Sequence, residues 1–197
     1  MEKIEVNDCE ELSLSMKLII ENLEEVIDKL DREAIKKMLQ KIIDGNQIFV
    51  MGAGRSRLVA KAFAMRLMQL GFSVYVVGET TTPAVLPQDV MIAISGSGET
   101  RTVADLGKLA KDIASALVTI TSKKYSTLGR ISDIAVIIPS KTKNDSDEAD
   151  YLERNMPPLG TTFEITAFVF LDSVVSQLMM LTGALEAELK SRYTNIE

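Results

Sequence analysis

The stretch QIFVMGAGRSRLVAKAFAMRLMQLG, residues 47–71, contains the change of pattern that decides the fold. Its first residues form a short apolar run, which predicts a strand over residues 47–51. The glycines and small residues of 52–56 predict a tight turn. The remainder spaces its apolar residues three and four positions apart, which predicts a helix. A strand, a turn and a helix in this order form the repeating unit of a parallel sheet, because parallel strands need a crossover connection.

The same unit recurs further along the chain. Strands are predicted at residues 73–77, 90–95, 116–120 and 134–138, with a helix from about 99 to 114. Apolar strands that alternate with helices indicate a parallel sheet covered by helices on both faces. The sequence therefore predicts an α/β fold.

Helical periodicity precedes this region. Apolar residues recur at three- and four-residue spacings over residues 10–43, and we predict two helices that are split near Asp31. The length of the chain, 197 residues, fits one ordinary domain. We therefore expect residues 1–44 to form an N-terminal helical extension that packs on a domain formed by residues 45–197.

The C-terminal part alternates between polar and very apolar sequence. Residues 139–160 are polar and contain proline, which predicts a long loop or a loop with one short helix. Residues 161–183 are apolar on nearly every side, so we predict a buried helix, with a subunit interface as its expected surroundings. Residues 184–197 predict a final, more polar helix.

Composition excludes several classes of function. The chain is 46% hydrophobic and 25% charged, as is typical of a globular protein, and its net charge of −6 disfavours a nucleic-acid partner. The N-terminus has no apolar run of the signal-peptide type, and we judge no stretch long enough to span a bilayer. We therefore expect a cytoplasmic protein with no membrane partner.

The chain has one cysteine, Cys9, and no histidine. One thiol cannot form an internal disulfide, and without histidine there is no zinc-site pattern and no Ser-His or Cys-His nucleophile pair. We expect no metal and no cofactor, and any acid-base chemistry must use Glu, Asp, Lys or Tyr.

Two glycine loops carry the functional signal: the GAGRS loop, residues 52–56, and the SGSGET loop, residues 95–100. Each follows a strand and opens a helix, where backbone N–H groups and the helix dipole attract an anion. Neither loop is a Walker A motif or a complete dinucleotide fingerprint. Alone, each could equally be a capped strand-to-helix turn. Together at the carboxyl end of one sheet, they favour a monophosphate ligand, held through the hydroxyls of Ser56, Ser95, Ser97 and Thr100.

The two loops resemble the phosphate-site motifs of the sugar isomerase (SIS) domain. The segments AFAMRLMQLGF, YVVGETTTPA, ISGSGET and PLGTTFEITAFVFLD resemble the 3-hexulose-6-phosphate isomerases of the ribulose monophosphate pathway of formaldehyde metabolism. This resemblance implies a three-layer sandwich around a five-stranded parallel sheet of the SIS, flavodoxin-like type. It also implies a homotetramer with sites near subunit interfaces, and metal-free interconversion of hexulose 6-phosphate and fructose 6-phosphate.

The resemblance also implies site residues. The phosphate site would be formed by Gly54, Arg55, Ser56, Ser95, Gly96, Ser97, Gly98 and Thr100, and Glu164 of GTTFE would be the catalytic base. Family members commonly have histidine where this chain has Gln69 and Tyr193. Tyr193 is therefore a candidate replacement for a catalytic histidine.

The implied chemistry moves a proton between neighbouring carbons through an enediol, and one carboxylate can serve as both base and acid. Glu164 is the first candidate, although Thr161-Thr162-Phe163-Glu164 also fits a capping box, in which the glutamate only caps a helix. Glu79 is a candidate second acid-base group. Candidate donors to the enediol oxygens or other substrate groups are Arg55, Lys61, Thr80, Thr81, Thr82 and Tyr193.

Two other functions fit the same residues. Phosphate anchoring does not identify the sugar, so the chain could isomerise another sugar phosphate. It could also bind a sugar phosphate without reacting, as a sensor. A DNA-binding segment, which a sensor of that kind often carries, is not recognisable in the sequence.

Overall fold

A computed structural model describes residues 10–114, 116–140, 157–158 and 160–196. The elements in these residues, in chain order, are α1 (Glu10–Lys29), α2 (Arg32–Asp44), β1 (Ile48–Gly52), α3 (Arg55–Leu70), β2 (Val74–Val76), β3 (Val90–Ile94), α4 (Arg101–Ile113), β4 (Ala116–Thr121), α5 (Thr127–Ile131), β5 (Ile134–Ile137), α6 (Thr161–Thr182) and α7 (Glu186–Ser191). Each predicted strand is present, and its ends differ from the prediction by at most one residue.

The five strands form one sheet in the order β2-β1-β3-β4-β5, and every neighbouring pair is parallel. Ile48 of β1 pairs with Val74 on one side and with Val90 on the other. This confirms the five-stranded parallel sheet. In this order the chain leaves β1 towards one edge and β3 towards the other edge. The carboxyl ends of β1 and β3 therefore form the switch point where open α/β sheets bind ligands.

Helices cover both faces of the sheet. Ile48 and Val50 of β1 belong to a core shared with α2, α3 and α6, whereas Phe49 and Met51 belong to a second core shared with α4 and α5. Successive side chains of a strand point to opposite faces, so a strand covered on both sides reads as a continuous apolar run. The predicted three-layer sandwich is confirmed.

Asp31 separates the N-terminal helices, as predicted. Its carboxylate accepts hydrogen bonds from the N–H groups of Glu33 (3.0 Å) and Ala34 (3.1 Å), which makes it the N-cap of α2. Met38 and Ile42 of α2 and Val26 of α1 are buried in the same core as the sheet. The N-terminal helices therefore pack on the α3 and α6 side of the sheet.

Helix α6 differs from its prediction in two ways. It buries one side, whereas Phe168 and Val169 on its outer side are 43% and 44% exposed. It is also long and apolar enough to cross a membrane by length and composition, which contradicts our judgement that no stretch is. This is weak support for a membrane span, because a core helix meets the same criterion, and α6 packs against α3 and α1.

Three further segments depart from the predictions or lie outside them. The final helix is shorter than predicted, because α7 ends at Ser191. The short helix α5 was not predicted, since it has only five residues. Most of the long loop predicted over residues 139–160 lies outside the described residues.

Candidate active site

The GAGRS and SGSGET loops lie side by side, because they leave the carboxyl ends of the paired strands β1 and β3. In the first loop, Gly54 is the N-cap of α3 and has a φ of +56°, a conformation that favours glycine. Ser56 follows in the first turn of α3 and is 8% exposed. The first turn of α3 therefore begins at the switch point.

The SGSGET loop uses its own hydroxyls to fix its shape. Ser95 accepts a hydrogen bond from the Gly98 N–H (3.2 Å) and donates one to Thr100 Oγ1 (3.3 Å). Ser97 Oγ accepts from the Glu99 N–H (3.2 Å). Ser97 and Thr100 are acceptors in these bonds, so each hydroxyl keeps a proton that it can donate to an anion. Ser95 is 3% exposed and engaged on both sides, so it shapes the loop and does not present a free O–H to a phosphate.

Glu164 is held beside this loop by the first turn of α6. A Cβ on Gly96 would lie 2.9 Å from Cδ1 of Phe163, so only glycine fits where α6 meets the loop. The next residue, Glu164, is 7% exposed and accepts a hydrogen bond of 2.6 Å from Arg55 Nε in the first turn of α3. A buried carboxylate with Arg55 as a charged partner thus lies one residue from the contact between α6 and the SGSGET loop.

The capping alternative for Glu164 is wrong. Helix α6 begins at Thr161, and its N-cap is Gly160, with a φ of +81° and no side-chain cap bond. Glu164 is therefore the fourth helical residue and not the third, and its Oε2 contacts Arg55. Its carboxylate is available for a role other than capping.

A groove of about 300 Å³ opens beside the Arg55–Glu164 pair. Its lining is otherwise apolar and consists of Leu58, Val59, Ile165, Phe168 and Val169. Leu58 is 66% exposed, so this wall of the groove is open to solvent in a single copy of the chain.

A third loop, between β4 and α5, was missed by the sequence analysis. The N–H and hydroxyl of Ser122 both donate to the Gly96 carbonyl, at 3.0 and 2.8 Å, and Thr121 Oγ1 donates to the same oxygen at 3.1 Å. The signal was present in the sequence, because TSKKYST is a third hydroxyl-rich segment that directly follows an apolar strand. Its residues support the SGSGET loop from the neighbouring strand.

Glu79, the candidate second acid-base group, lies in a separate surface cluster. Its Oε1 contacts Lys61 Nζ at 2.7 Å and Arg57 Nη2 at 3.2 Å. Hydrogen bonding and charge from Lys61, followed by Arg57, hold the pKa of Glu79 below its usual range. Arg57 and Arg55 are two positions apart on α3 and therefore do not share a side of the helix. The structure does not bring Glu79 and Lys61 together with Glu164, and a stabilised carboxylate is a poor acid.

Thr80 and Thr81, the predicted substrate-binding threonines, are exposed in the turn that follows Glu79. The neighbouring Thr82 donates its hydroxyl to the Val76 carbonyl (2.8 Å), so it closes the turn at the end of β2. Strand β2 is the edge neighbour of β1. These threonines therefore remain at the rim of the carboxyl end of the sheet.

Tyr193 lies near the opposite end of α3 from the site. Its hydroxyl accepts a hydrogen bond of 3.1 Å from Arg66 Nη1, which also donates to Gln69 Oε1 at 3.2 Å. Arg66 follows Arg55 by eleven residues, which is about 16 Å along the helix axis. The prediction that Tyr193 acts beside Glu164 therefore does not hold within one copy of the chain. Gln69 and Tyr193, the two departures from the family pattern, bind the same arginine.

Within residues 10–114, 116–140, 157–158 and 160–196, no group of three or more acidic, cysteine or histidine side chains is arranged to hold a metal ion. Among the described residues, the charged side chains that line the groove are Arg55 and Glu164.

Residues 41–149 match the SIS domain family, and the chain belongs to this family. It is 44% identical over 182 residues to an uncharacterized protein of Archaeoglobus fulgidus, a match that covers 92% of this chain and 98% of that protein. It is 33% identical over 168 residues to the 3-hexulose-6-phosphate isomerase of Bacillus subtilis, covering 85% of this chain and 89% of the relative.

Among solved structures, one from Methanococcus jannaschii superposes with a TM-score of 0.78 at 34% identity, covering 95% of this chain and 99% of the other. The report of that structure infers a molecular function of 3-hexulose-6-phosphate isomerase for it. The resemblance to SIS-domain sugar isomerases is thus confirmed, with 3-hexulose-6-phosphate isomerases among the relatives.

Proposed function

We propose that the chain is a 3-hexulose-6-phosphate isomerase that forms fructose 6-phosphate without a metal or cofactor. The observation that carries the proposal is the buried carboxylate of Glu164, bound to Arg55 at 2.6 Å and one residue from Phe163, which packs against Gly96 of the SGSGET loop. A phosphate-binding loop next to a single buried carboxylate is what proton transfer on a sugar phosphate requires. The names of the relatives at 32–38% identity support the same reaction.

In the proposed reaction Glu164 removes the proton from C2 of the 3-ketose, the electron pair of that C–H bond forms the C2–C3 double bond, and O3 takes up a proton from solvent as the C3 carbonyl becomes an enediol hydroxyl. The same carboxyl group then returns its proton to C3 while O2 releases its hydroxyl proton to solvent and the C2 carbonyl forms, so that in total one proton moves from C2 to C3 and one is exchanged from O2 to O3. A positioned general base of this kind contributes roughly 10²–10⁴-fold to the rate. The Arg55 bond occupies Oε2, so Oε1 is the oxygen that we assign to the transfer.

Arg55 has a second role in this proposal. The side chain of Arg55 is 55% exposed, whereas the side chain of its partner Glu164 is only 9% exposed. The guanidinium therefore reaches from the buried carboxylate to the open groove. A guanidinium has five N–H donors, and the described pair uses one of them. The remaining donors can stabilise the negative charge that develops on the enediol oxygens.

The phosphate is assigned to the open hydroxyls of Ser97 and Thr100, to the loop N–H of Gly96, and to Gly54 and Ser56 at the start of α3, whereas the Gly98 N–H is already bonded to Ser95. In this assignment Ser95 fixes the loop from within. Thr80 and Thr81, in the turn beyond the neighbouring strand β2, and Lys61, which binds Glu79 from α3, remain candidates for the distal hydroxyls of the sugar.

The test is an assay of purified chain with 3-hexulose 6-phosphate in D₂O, with fructose 6-phosphate measured by a coupled dehydrogenase. We expect turnover in proportion to enzyme concentration and deuterium at C3 of the product, because the proton on Glu164 exchanges with solvent. Absence of turnover would refute the proposal. If fructose 6-phosphate still bound, the result would favour a sugar-phosphate sensor.

A panel of pentose, hexose and heptose phosphates tests the second candidate, isomerisation of another sugar phosphate. The described loops recognise the phosphate and leave the sugar unspecified, which keeps this candidate open. A kcat/KM at least tenfold higher for another ketose phosphate would replace the assignment to 3-hexulose 6-phosphate.

We further propose a cytoplasmic homotetramer that acts in the ribulose monophosphate pathway, with sites near subunit interfaces. The support is the exposed apolar wall of the groove, formed by Leu58 (66% exposed), Phe168 (43%) and Val169 (44%). Contiguous exposed apolar surface of this kind is typical of protein interfaces. Light scattering that gives the mass of a single 21.7 kDa chain would contradict the tetramer.

A further inference from the structure

Glu99 belongs to the SGSGET loop, but its carboxylate binds the next loop and not its own. Oε1 accepts a hydrogen bond from the N–H of Thr127 and Oε2 accepts one from the Thr127 hydroxyl, both at 2.7 Å. We call this pair of bonds the Glu99 clasp. Hydrogen bonds to an ionised acceptor are short and about twice as strong as neutral ones. The clasp thus ties the start of α5 to the residue that precedes Thr100.

The clasp completes a set of contacts between the same two loops. The N–H of Leu128 donates to the Gly98 carbonyl at 3.1 Å. Gly98 has a φ of +66°, and a Cβ there would lie 2.0 Å from Ser126 Oγ, so no other residue fits without moving the α5 loop. Backbone position at Gly98 and Glu99 is therefore set from α5.

The negative charge of Glu99 makes its position important for a loop that is to bind a phosphate. Hydrogen bonds from the Thr127 hydroxyl and N–H, together with the charges of Arg130 and Lys108, hold the pKa of Glu99 below its usual range. The carboxylate is therefore ionised at neutral pH. An ionised side chain in the SGSGET loop would repel a phosphate if it turned inward, and the clasp holds it at α5.

We propose that Glu99 is a positioning residue for phosphate-ester binding: through the clasp it holds the N–H groups of the SGSGET loop and the hydroxyls of Ser97 and Thr100 in the arrangement that accepts the anion. The inference rests on the proposed function, since it needs the loop to bind a sugar phosphate. The inference adds Glu99, a residue that acts through the SGSGET loop and touches no reacting atom.

The chain offers a matched control at the other end of the sheet. Asp133 Oδ2 accepts a hydrogen bond of 2.8 Å from the N–H of Leu117 and its other oxygen binds Lys111. Although burial raises it, the Leu117 N–H and Lys111 leave the pKa of Asp133 below its usual range. Like Glu99, Asp133 is a carboxylate that accepts a hydrogen bond from a backbone N–H of another segment. The contact lies at the amino end of β4, away from the SGSGET loop. Asp133→Asn therefore weakens a comparable clasp, as Glu99→Gln does, without touching the loop.

The experiment compares Glu99→Ala, Glu99→Gln, Thr127→Val, Thr127→Ser and Asp133→Asn. Affinity for fructose 6-phosphate is measured by calorimetry, and kcat and KM in the isomerase assay. We expect Glu99→Ala to raise Kd and KM about tenfold, the factor that loss of one charge-assisted hydrogen bond corresponds to, with kcat within twofold. The Kd and KM of Glu99→Gln, which keeps an acceptor and the side-chain volume, should fall between those of the wild type and Glu99→Ala, and so should those of Thr127→Val. Thr127→Ser and Asp133→Asn should match the wild type.

Unchanged affinity in Glu99→Ala would overturn the inference alone, and so would a fall in kcat at constant KM. An equal rise of KM in Asp133→Asn would overturn it as well, since the effect would then follow general stability. A wild-type chain that binds no sugar phosphate would instead refute the proposed function and the inference with it.

Discussion

Helix α3 makes two pairings of the same kind with α6, and they differ in their surroundings. Near its start, Arg55 contacts Glu164 at 2.6 Å, and the carboxylate side chain is 9% exposed. Further along, Arg66 lies 4.0 Å from Asp172, whose side chain is 46% exposed. An exposed, distant pair contributes little to stability or chemistry. A buried carboxylate with a charged partner at the carboxyl end of the sheet is a candidate catalytic group.

The comparison teaches that position relative to the sheet, and not residue type, separates the two arginine–carboxylate pairs. Both carboxylates lie on α6 and both arginines lie on α3. Only the first pair lies at the carboxyl end of β1 and β3, where the loops leave in opposite directions. The contrast would fail if substitutions in the Arg66–Asp172 pair lowered activity as much as substitutions in the Arg55–Glu164 pair.

The largest effect is expected for Glu164→Gln. Glutamine keeps the volume but cannot take up the proton, so kcat should fall by roughly 10²–10⁴-fold. Circular dichroism and the affinity for fructose 6-phosphate should remain near wild type, because the loops are intact. Asp172→Asn is the matched control, and its kcat/KM should stay within twofold. Wild-type turnover in Glu164→Gln would remove Glu164 from the mechanism.

A smaller effect is expected for Arg55→Gln. The change removes the charged donor of Glu164, and such hydrogen bonds are worth about 1.5–3 kcal/mol, which corresponds to roughly 10–100-fold in kcat/KM. Arg66→Gln serves as the control in the same steady-state assay, since it changes an equivalent residue at the exposed pair. If the two variants lost equal activity, the contrast between the pairs would fail.

The fold could be predicted well from the sequence, for a physical reason. Strands buried on both faces are apolar throughout, so the five runs are visible, and the split between the N-terminal helices was predicted near Asp31, which the structure shows to be the N-cap of α2. The strand order could not be predicted, since which strand pairs with which depends on contacts between distant segments. The exposed side of α6 could not either, because it also carries large apolar residues, namely Phe168, Val169, Met180 and Leu181.

The site was predictable only in part. The two glycine loops and Glu164 were identified from local motifs and from resemblance. The partner of Glu164 was not, since Arg55 lies 109 residues away in sequence. The capping alternative failed because it assumed that α6 begins one residue later, with Thr161 as its cap, whereas Gly160 takes that position. The β4–α5 loop has no glycine fingerprint, so its connection to the site is visible only in tertiary contacts such as those of Ser122 and Thr121 with Gly96.

The smallest effect is expected for Tyr193→Phe, which tests the distal part of α3. The hydroxyl bonds Arg66 at 3.1 Å and the ring is 44% exposed, so its loss should lower the free energy of unfolding by about 0.5–1.5 kcal/mol. Because Tyr193 is remote from Glu164 in one copy, kcat/KM should stay within twofold, whereas chemical denaturation should report the stability change. A loss of turnover above tenfold in a stably folded variant would mean that Tyr193 reaches the site of another copy of the chain. In that event the distal part of α3, where Gln69 and Tyr193 both bind Arg66, would contribute to the active site of a neighbouring subunit. The contrast between the Arg55–Glu164 and Arg66–Asp172 pairs would then hold only within one copy of the chain.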